Sequence, residues 1–174
     1  MKSLLAAVFT AGVLVLVVGV TAAAAGSSTV NGTVHCDPSD AACQINPLLT
    51  GPPPIPLPGN CPAFLSTDAW SLNFTSGNAV MHGTTNKNGD WGGGTAEGPA
   101  VLTSSAGTAE YAGHATAWFG GANNAGGQTE GGFTFTFNGS GDAGTISIHI
   151  DQHSTTNNSG TPTSNVFNVA VSCS

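Results

Sequence analysis

The segments Phe133-Thr-Phe-Thr-Phe137 and Ile146-Ser-Ile-His-Ile150 decide the fold class of this chain. In both, large apolar side chains alternate strictly with polar ones, which is the period of a β-strand with one buried face. Between them lies Asn138-Gly-Ser-Gly-Asp-Ala-Gly144, which is rich in the residues that tight turns favour. The two segments therefore predict neighbouring antiparallel strands whose apolar faces belong to the core.

The same pattern of alternating runs and turn residues extends over the rest of the chain from Cys61 onward. Asn88-Gly89 is the clearest hairpin turn, because Asn-Gly readily takes the positive φ of a type I′ turn. The glycine-rich residues 120–127 are predicted to be a loop, and no segment after residue 25 has the period of an amphipathic helix. The predicted strands are at residues 70–74, 79–85, 91–103, 108–119, 128–137, 145–155 and 164–173.

The expected fold is an all-β antiparallel meander of seven or eight strands. Such a meander closes into a small β-barrel or folds into a β-sandwich. The barrel is our expectation and the sandwich the alternative, because closure removes edge strands and this chain has almost no lysine to guard them. The third strand is interrupted at Gly98-Pro99, where a barrel would bend.

The first 25 residues have the features of an export signal. Lys2 supplies a positive charge, residues 4–20 are apolar and uncharged, and small residues lead up to Ala25. We expect cleavage near Ala25 and a secreted, extracellular protein. An uncleaved membrane anchor is the alternative, because the apolar run is just long enough to span a bilayer.

Residues 26–60 are predicted to form an irregular, proline-rich leader ahead of a single β-barrel domain at residues 61–174. Seven prolines fall between Pro47 and Pro62. Since proline cannot donate to a ladder and fixes its own φ, this part of the leader is expected to be extended and polyproline-like.

Four cysteines behind an export signal predict two disulfide bonds. We expect Cys36 to pair with Cys43, closing a short loop in the leader, and Cys61 to pair with Cys173, bracketing the β region. A metal site built from the four thiolates is the alternative, but no Cys-x-x-Cys spacing supports it.

The charge balance excludes several classes of partner. The chain has no arginine, and beyond the predicted signal Lys87 is the only basic side chain apart from histidine, against nine acidic residues. Nucleic acids and anionic membranes are bound through lysine and arginine, so we expect neither as a partner of the mature protein. Phosphorylated ligands are disfavoured for the same reason. A small molecule or a glycan is the class of ligand that remains.

The sixth predicted strand carries a candidate metal site. His149, Asp151 and His153 follow the period of two, so they share the face opposite the isoleucines. Imidazole and carboxylate groups ligate zinc or copper, and a further histidine on a neighbouring strand would complete the set. The alternative, which we prefer, is that the protein has no cofactor and that these side chains are solvated or paired with a cross-strand threonine or aspartate.

A candidate ligand site involves the other strand-borne histidines. His114 and Trp118 share one face of the fourth predicted strand, and His82 lies on the second. If that face lines a barrel, these residues would line a small pocket. If it faces outward, Trp118 or Trp91 would be exposed and could stack on a sugar ring. In a third, purely structural interpretation Trp118 plugs the end of the barrel.

No catalytic constellation is apparent in the sequence. Glu97, Glu110 and Glu130 are the only glutamates and lie beside turns, rather than forming the carboxylate pair of glycosidases. The chain has no Gly-x-Ser-x-Gly motif. The sequence therefore predicts a secreted, non-enzymatic β-barrel module that binds an unidentified ligand or acts at a surface. A small metal-binding protein or enzyme, and a carbohydrate-binding module, are the alternatives.

Overall fold

The computed structural model describes residues 27–36, 44–45, 59–61, 69–107 and 109–174. These residues form one antiparallel sheet of nine strands. Nothing among them is a helix that could cross a membrane. The strands are β1 (Ser28–Cys36), β2 (Gln44–Ile45), β3 (Trp70–Phe74), β4 (Gly77–Asn86), β5 (Gly89–Ser104), β6 (Glu110–Asn124), β7 (Thr129–Gly141), β8 (Gly144–Thr156) and β9 (Pro162–Cys173).

The seven strands predicted from Trp70 onward are confirmed as β3 to β9. The main difference is in β6, which continues to Asn124 through glycines that predicted a loop. Residues 120–121 pair with glycines on both neighbouring strands, at 92–93 in β5 and at 131–132 in β7. Ladder hydrogen bonds therefore hold this part of the sheet together, although the glycines themselves contribute no side chains.

Two parts of the predicted irregular leader are strands instead. β1 pairs along its whole length with β4, from Ser28 opposite Thr85 to Cys36 opposite Gly77. β2 pairs with β3. The predicted signal and most of the proline-rich segment lie outside the described residues.

The sheet is open, and the predicted barrel closure is not found. The strand order is β1-β4-β5-β6-β7-β8-β9, and no ladder among the described residues joins β9 to β1 or β3. All nine strands belong to this one sheet. The physical reason lies at Gly98-Pro99, where β5 changes its partner from β4 to β3 and the proline has no N–H for the ladder. One edge of the sheet is thereby divided between two strands.

The hydrophobic core covers one face of the sheet, which we call the core face, towards the end formed by the β5–β6 and β7–β8 turns. Towards the opposite end the strands extend beyond the core, so Phe119 and Phe133 are only partly buried and Phe167 is 52% exposed. The largest fully buried side chains are Trp70, Leu72, Leu102, Tyr111, Phe135, Phe137 and Ile148.

The predicted disulfide between Cys61 and Cys173 is confirmed, with Cα atoms 5.0 Å apart. It ties residues 59–61 to the end of β9, and the side-chain amide of Asn60 donates a hydrogen bond to the carbonyl of Cys173. Cys36 is buried at the end of β1. Cys43, its predicted partner, lies outside the described residues.

Tyr111 is a titratable group in the core whose proton affinity is changed by burial. Its side chain is fully buried and its hydroxyl has no hydrogen-bond partner among the described residues. Burial raises the pKa of this phenol above its ordinary value. As the pH rises past about 10, Tyr111 therefore loses its proton in the unfolded chain before it does so in the folded chain. In this range the unfolded chain binds fewer protons than the folded chain.

We expect the free energy of unfolding to fall above that pH, and the substitution Tyr111→Phe to remove this part of the decline. Near neutral pH the substitution should cost less than about 1 kcal/mol or stabilise the fold, because it removes a buried hydroxyl without a partner. Urea unfolding of both proteins across the alkaline range measures this. Tyr111 is the only tyrosine in the chain, so tyrosinate absorbance reports its ionisation directly. Parallel stability curves for the two proteins would contradict the prediction.

Candidate functional site

The second face of the sheet, which we call the open face, carries the polar side chains. On β8 it presents His149, Asp151 and His153. The isoleucines that alternate with them, Ile146, Ile148 and Ile150, are buried on the core face.

The ladder registers place the other candidate residues on the same face, because directly opposed residues point to the same side of a sheet. His153 lies opposite Gly132, and the same register row continues through Gly120 and Gly93 to His82. All five histidines of the chain are on the open face, and so are the two exposed tryptophans; the seven residues are His35, His82, Trp91, His114, Trp118, His149 and His153.

Three glycines, Gly93, Gly120 and Gly132, form a continuous row across β5, β6 and β7 on this face. We call it the glycine row. His82 continues it at one end and His153 at the other. Four strand spacings separate these histidines, which places them at most about 19 Å apart across the sheet.

The indole ring of Trp118 lies on this row. A Cβ atom at Gly120 would be 3.0 Å from Cζ2 of the ring, and one at Gly132 would be 3.1 Å from Cζ3. A side chain at either position would force the ring to shift by a few tenths of an ångström, so glycine at both lets the ring lie closest to the backbone. Trp118 is nevertheless 48% exposed, because the other side of the ring faces solvent.

A second aromatic pair lies beside the glycine row. The rings of His82 and Trp91 pack edge to face, with centroids 5.3 Å apart. A Cβ atom at Gly93 would be 4.0 Å from Cε1 of His82, so this ring too reaches the row. Trp91 is 48% exposed. We call the surface formed by Trp91, Trp118, His82 and the glycine row the aromatic platform.

Carboxylates and hydroxyls surround the platform. Thr134 lies directly opposite both Trp118 and Asp151, and its hydroxyl donates a 3.0 Å hydrogen bond to Oδ1 of Asp151. Glu97 and Glu130 are exposed on the same face. The open face is therefore acidic.

Positive charge is almost absent from the described part of the chain. Its only lysine is Lys87, in the turn between β4 and β5, and the full sequence has no arginine. Histidine is thus the one residue type that can carry a positive charge on the open face.

The residues of the predicted metal site do not come together as one. Within the described ranges, no three histidine, cysteine, aspartate or glutamate side chains are grouped so that they could hold a metal ion. The predicted additional ligands, His82 and His114, lie on β4 and β6, and neither strand is a neighbour of β8. Asp151 already accepts the hydrogen bond from Thr134.

The predicted ligand residues His82, His114 and Trp118 do share a surface, but they are exposed and do not enclose a pocket. A cavity of about 490 Å³ lies elsewhere, at the core end of the sheet. It is lined by Thr103, Gly107, Ala109, Glu110, Asp142 and Ala143.

The three glutamates are far from one another. The positions of all three can be compared along β6. Glu110 is on β6 itself, Glu97 lies opposite Thr116, and Glu130 lies opposite Ala122, so each is displaced from the next by six residues along the strand. Six residues of a strand span about 20 Å, which exceeds the separation of roughly 10 Å or less between the two carboxylates that glycoside hydrolysis requires.

Comparisons of the chain with protein-family models, with curated proteins and with solved structures found no match.

Proposed function

We propose that the protein is an exported, non-enzymatic carbohydrate-binding module that holds a neutral glycan on the aromatic platform. The observation that carries this proposal is the position of Trp118, whose ring lies on two glycines and leaves its other side free. An aromatic ring has a negative face, and the C–H groups on one face of a sugar ring pack favourably against it. The ring is held in place before any ligand arrives, so little conformational entropy is lost on binding.

The surroundings of the platform suit the hydroxyl groups of a sugar. The carboxylates of Asp151 and Glu130 accept hydrogen bonds, the hydroxyl of Thr134 both donates and accepts, and the imidazoles of His82 and His153 do the same. Small apolar ligands would leave these groups without partners, whereas a polyhydroxylated ring satisfies them.

The charge of the open face favours a neutral glycan over an anionic one. Glu97, Glu130 and Asp151 are all on this face, and Lys87 is in a turn. Uronic acids and sulfated sugars would be repelled, because no lysine or arginine on the described open face compensates the carboxylates.

The proposal also includes export of the protein and the absence of enzymatic activity, and each is supported by one observation. The disulfide between Cys61 and Cys173 supports an oxidising compartment. The separation of Glu97, Glu110 and Glu130 argues against glycoside hydrolysis at the platform.

The substitution Trp118→Ala should weaken binding to a neutral polysaccharide by about tenfold or more, which corresponds to about 1.4 kcal/mol or more. The loss is expected because alanine removes the stacking surface while the hydrogen-bonding groups remain. Affinity electrophoresis of the mature protein measures it, in gels containing neutral polysaccharides (glucan, mannan, galactan, chitin) and, for comparison, alginate and heparin.

Val80→Ala is the matched control for this experiment. Val80 is 46% exposed and lies on the open face in the same register row as Trp118, with Thr95 between them. We expect it to bind as the wild type does, and Trp118→Phe to retain part of the affinity. The proposal is wrong if the wild type is retarded by no neutral polysaccharide, or if Trp118→Ala is retarded equally.

A further inference from the structure

Among the described residues, the strand β9 forms an edge of the sheet that has no charged side chains. Among the described strands it pairs with β8 alone. It is 12 residues long and has no aspartate, glutamate, lysine or arginine. Natural edge strands are commonly short, charged or interrupted by bulges, because an open edge pairs readily with another strand. The one irregularity of this ladder is at Thr155/Thr156, opposite the very start of β9.

The middle of β9 carries two neighbouring apolar side chains that are exposed among the described residues. Val166 is 44% exposed and Phe167 is 52% exposed. Because successive residues of a strand point to opposite sides, Val166 lies on the open face and Phe167 on the core face. A strand added at this edge would therefore cover one apolar side chain on each face of the sheet.

We propose that the protein forms a homodimer in which β9 pairs antiparallel with β9 of a second copy. The two-fold axis passes close to Val166 and Phe167 and is perpendicular to the sheet. Antiparallel pairing of a strand with itself uses the same surface in both copies, so the assembly closes as a dimer.

The charge distribution favours a second copy as the occupant of this edge. The chain has a net charge of −7, so two copies repel each other over most of their surfaces. The acidic residues of the strands lie on β5, β6, β7 and β8, namely Asp90, Glu97, Glu110, Glu130 and Asp151. β9 has none, which makes it a strand along which two copies approach without placing like charges opposite each other.

The other long edge of the sheet, β1, is less suited to this role. It has Gly32 at its centre, and glycine weakens a strand because it offers no side chain for packing. Its only large apolar side chain among those found exposed is Val30. Pairing of β1 with β9 of another copy would also be heterologous and would continue into open-ended chains.

The dimer would join the two open faces into one surface, a consequence that rests on the proposed function. Val166 lies opposite His153, at the end of the glycine row. Paired residues of the two β9 strands point to the same side, so the two aromatic platforms would face one polymeric glycan together. Such a bivalent arrangement raises the avidity for a polymer without any new contact.

The test is the oligomeric state of the mature protein, measured by size-exclusion chromatography with light scattering over a wide range of concentrations. We expect a dimer for the wild type and a monomer for Val166→Lys, because the two lysines would be brought together at the interface. Val80→Lys is the matched control: Val80 is 46% exposed on the same face, but β4 is paired on both sides. It should remain dimeric, and circular dichroism should show that both variants are folded.

A wild type that stays monomeric throughout, or a Val166→Lys variant that stays dimeric, would overturn the proposal. If the wild type instead forms assemblies that grow without limit, and Val30→Lys abolishes them, the proposed dimer is wrong and β1 pairs with β9 of another copy. The outcome is independent of glycan binding, because Trp118→Ala is expected to remain a dimer even though it binds the polysaccharide more weakly.

Discussion

Removing the disulfide between Cys61 and Cys173 is expected to lower the free energy of unfolding by about 4–5 kcal/mol. The bond joins residues 112 positions apart, so it restricts a long loop of the unfolded chain. In the folded protein it ties residues 59–61 to the end of a strand that, among the described strands, pairs with β8 alone. Urea unfolding of the double variant Cys61→Ala/Cys173→Ala measures the loss.

Wild-type protein reduced with a phosphine is the control, because it keeps both cysteine side chains; reduction of the double variant measures, and corrects for, the predicted bond between Cys36 and Cys43. The double variant also loses some packing, since Cys173 is 7% exposed and belongs to the core. If the chain constraint is the main contribution, the reduced wild type should lose nearly as much stability as the variant. A loss below about 1 kcal/mol in the reduced protein would show that the constraint contributes little.

The sequence predicted the strands from Trp70 onward because their core ends alternate strictly. In β7 and β8 the phenylalanines and isoleucines are buried and the intervening side chains face the other way. Turns rich in glycine and asparagine then set the limits of the strands. Where the core ends, this signal ends as well, and the glycine-rich end of β6 from Gly120 to Asn124 has the local composition of a loop.

Two features of the fold depend on pairing and could not be found from local patterns. Val30, Gly32 and Val34 alternate with polar residues in β1, but the glycine interrupts the apolar series, and the strand is recognisable only through its pairing with β4. The barrel does not close, and the strand beside β5 changes from β4 to β3 partway along it. Pro99 indicated a break there, but not that two strands would share one edge.

The candidate site could be predicted only strand by strand. A period of two places Trp118 and His114 on one side of β6, and His149 and His153 on one side of β8. That all of these belong to a single face requires the registers of the intervening ladders. The glycine row was visible in the sequence as three separate glycine pairs or triplets, and its alignment beneath Trp118 results from the register.

The substitution Phe135→Ala should cost about 3–5 kcal/mol of stability, the usual loss for a large aromatic side chain in a core. Phe135 is fully buried, between Ala117 of β6 and Ile150 of β8. Its ring is stacked with that of Phe133, at a centroid distance of 6.3 Å and an angle of 5°. Alanine would leave a cavity that β6 cannot fill, because the residue opposite is itself an alanine. Urea unfolding measures the loss.

Phe167→Ala is the control, because Phe167 lies on the same core face as Phe135 but outside the buried end of the sheet. Its ring is 52% exposed beyond the end of the core, so we expect a loss below about 1 kcal/mol. Both substitutions are best measured in the Val166→Lys background, so that association through β9 does not contribute to the difference. Equal losses would contradict the description of the core as confined to one end of the sheet. The open face lies on the reverse of the same strands, and Trp118 rests on Gly120 and Gly132 and not on the core. If the proposed glycan binding is correct, a Phe135→Ala protein that remains folded should therefore retain it.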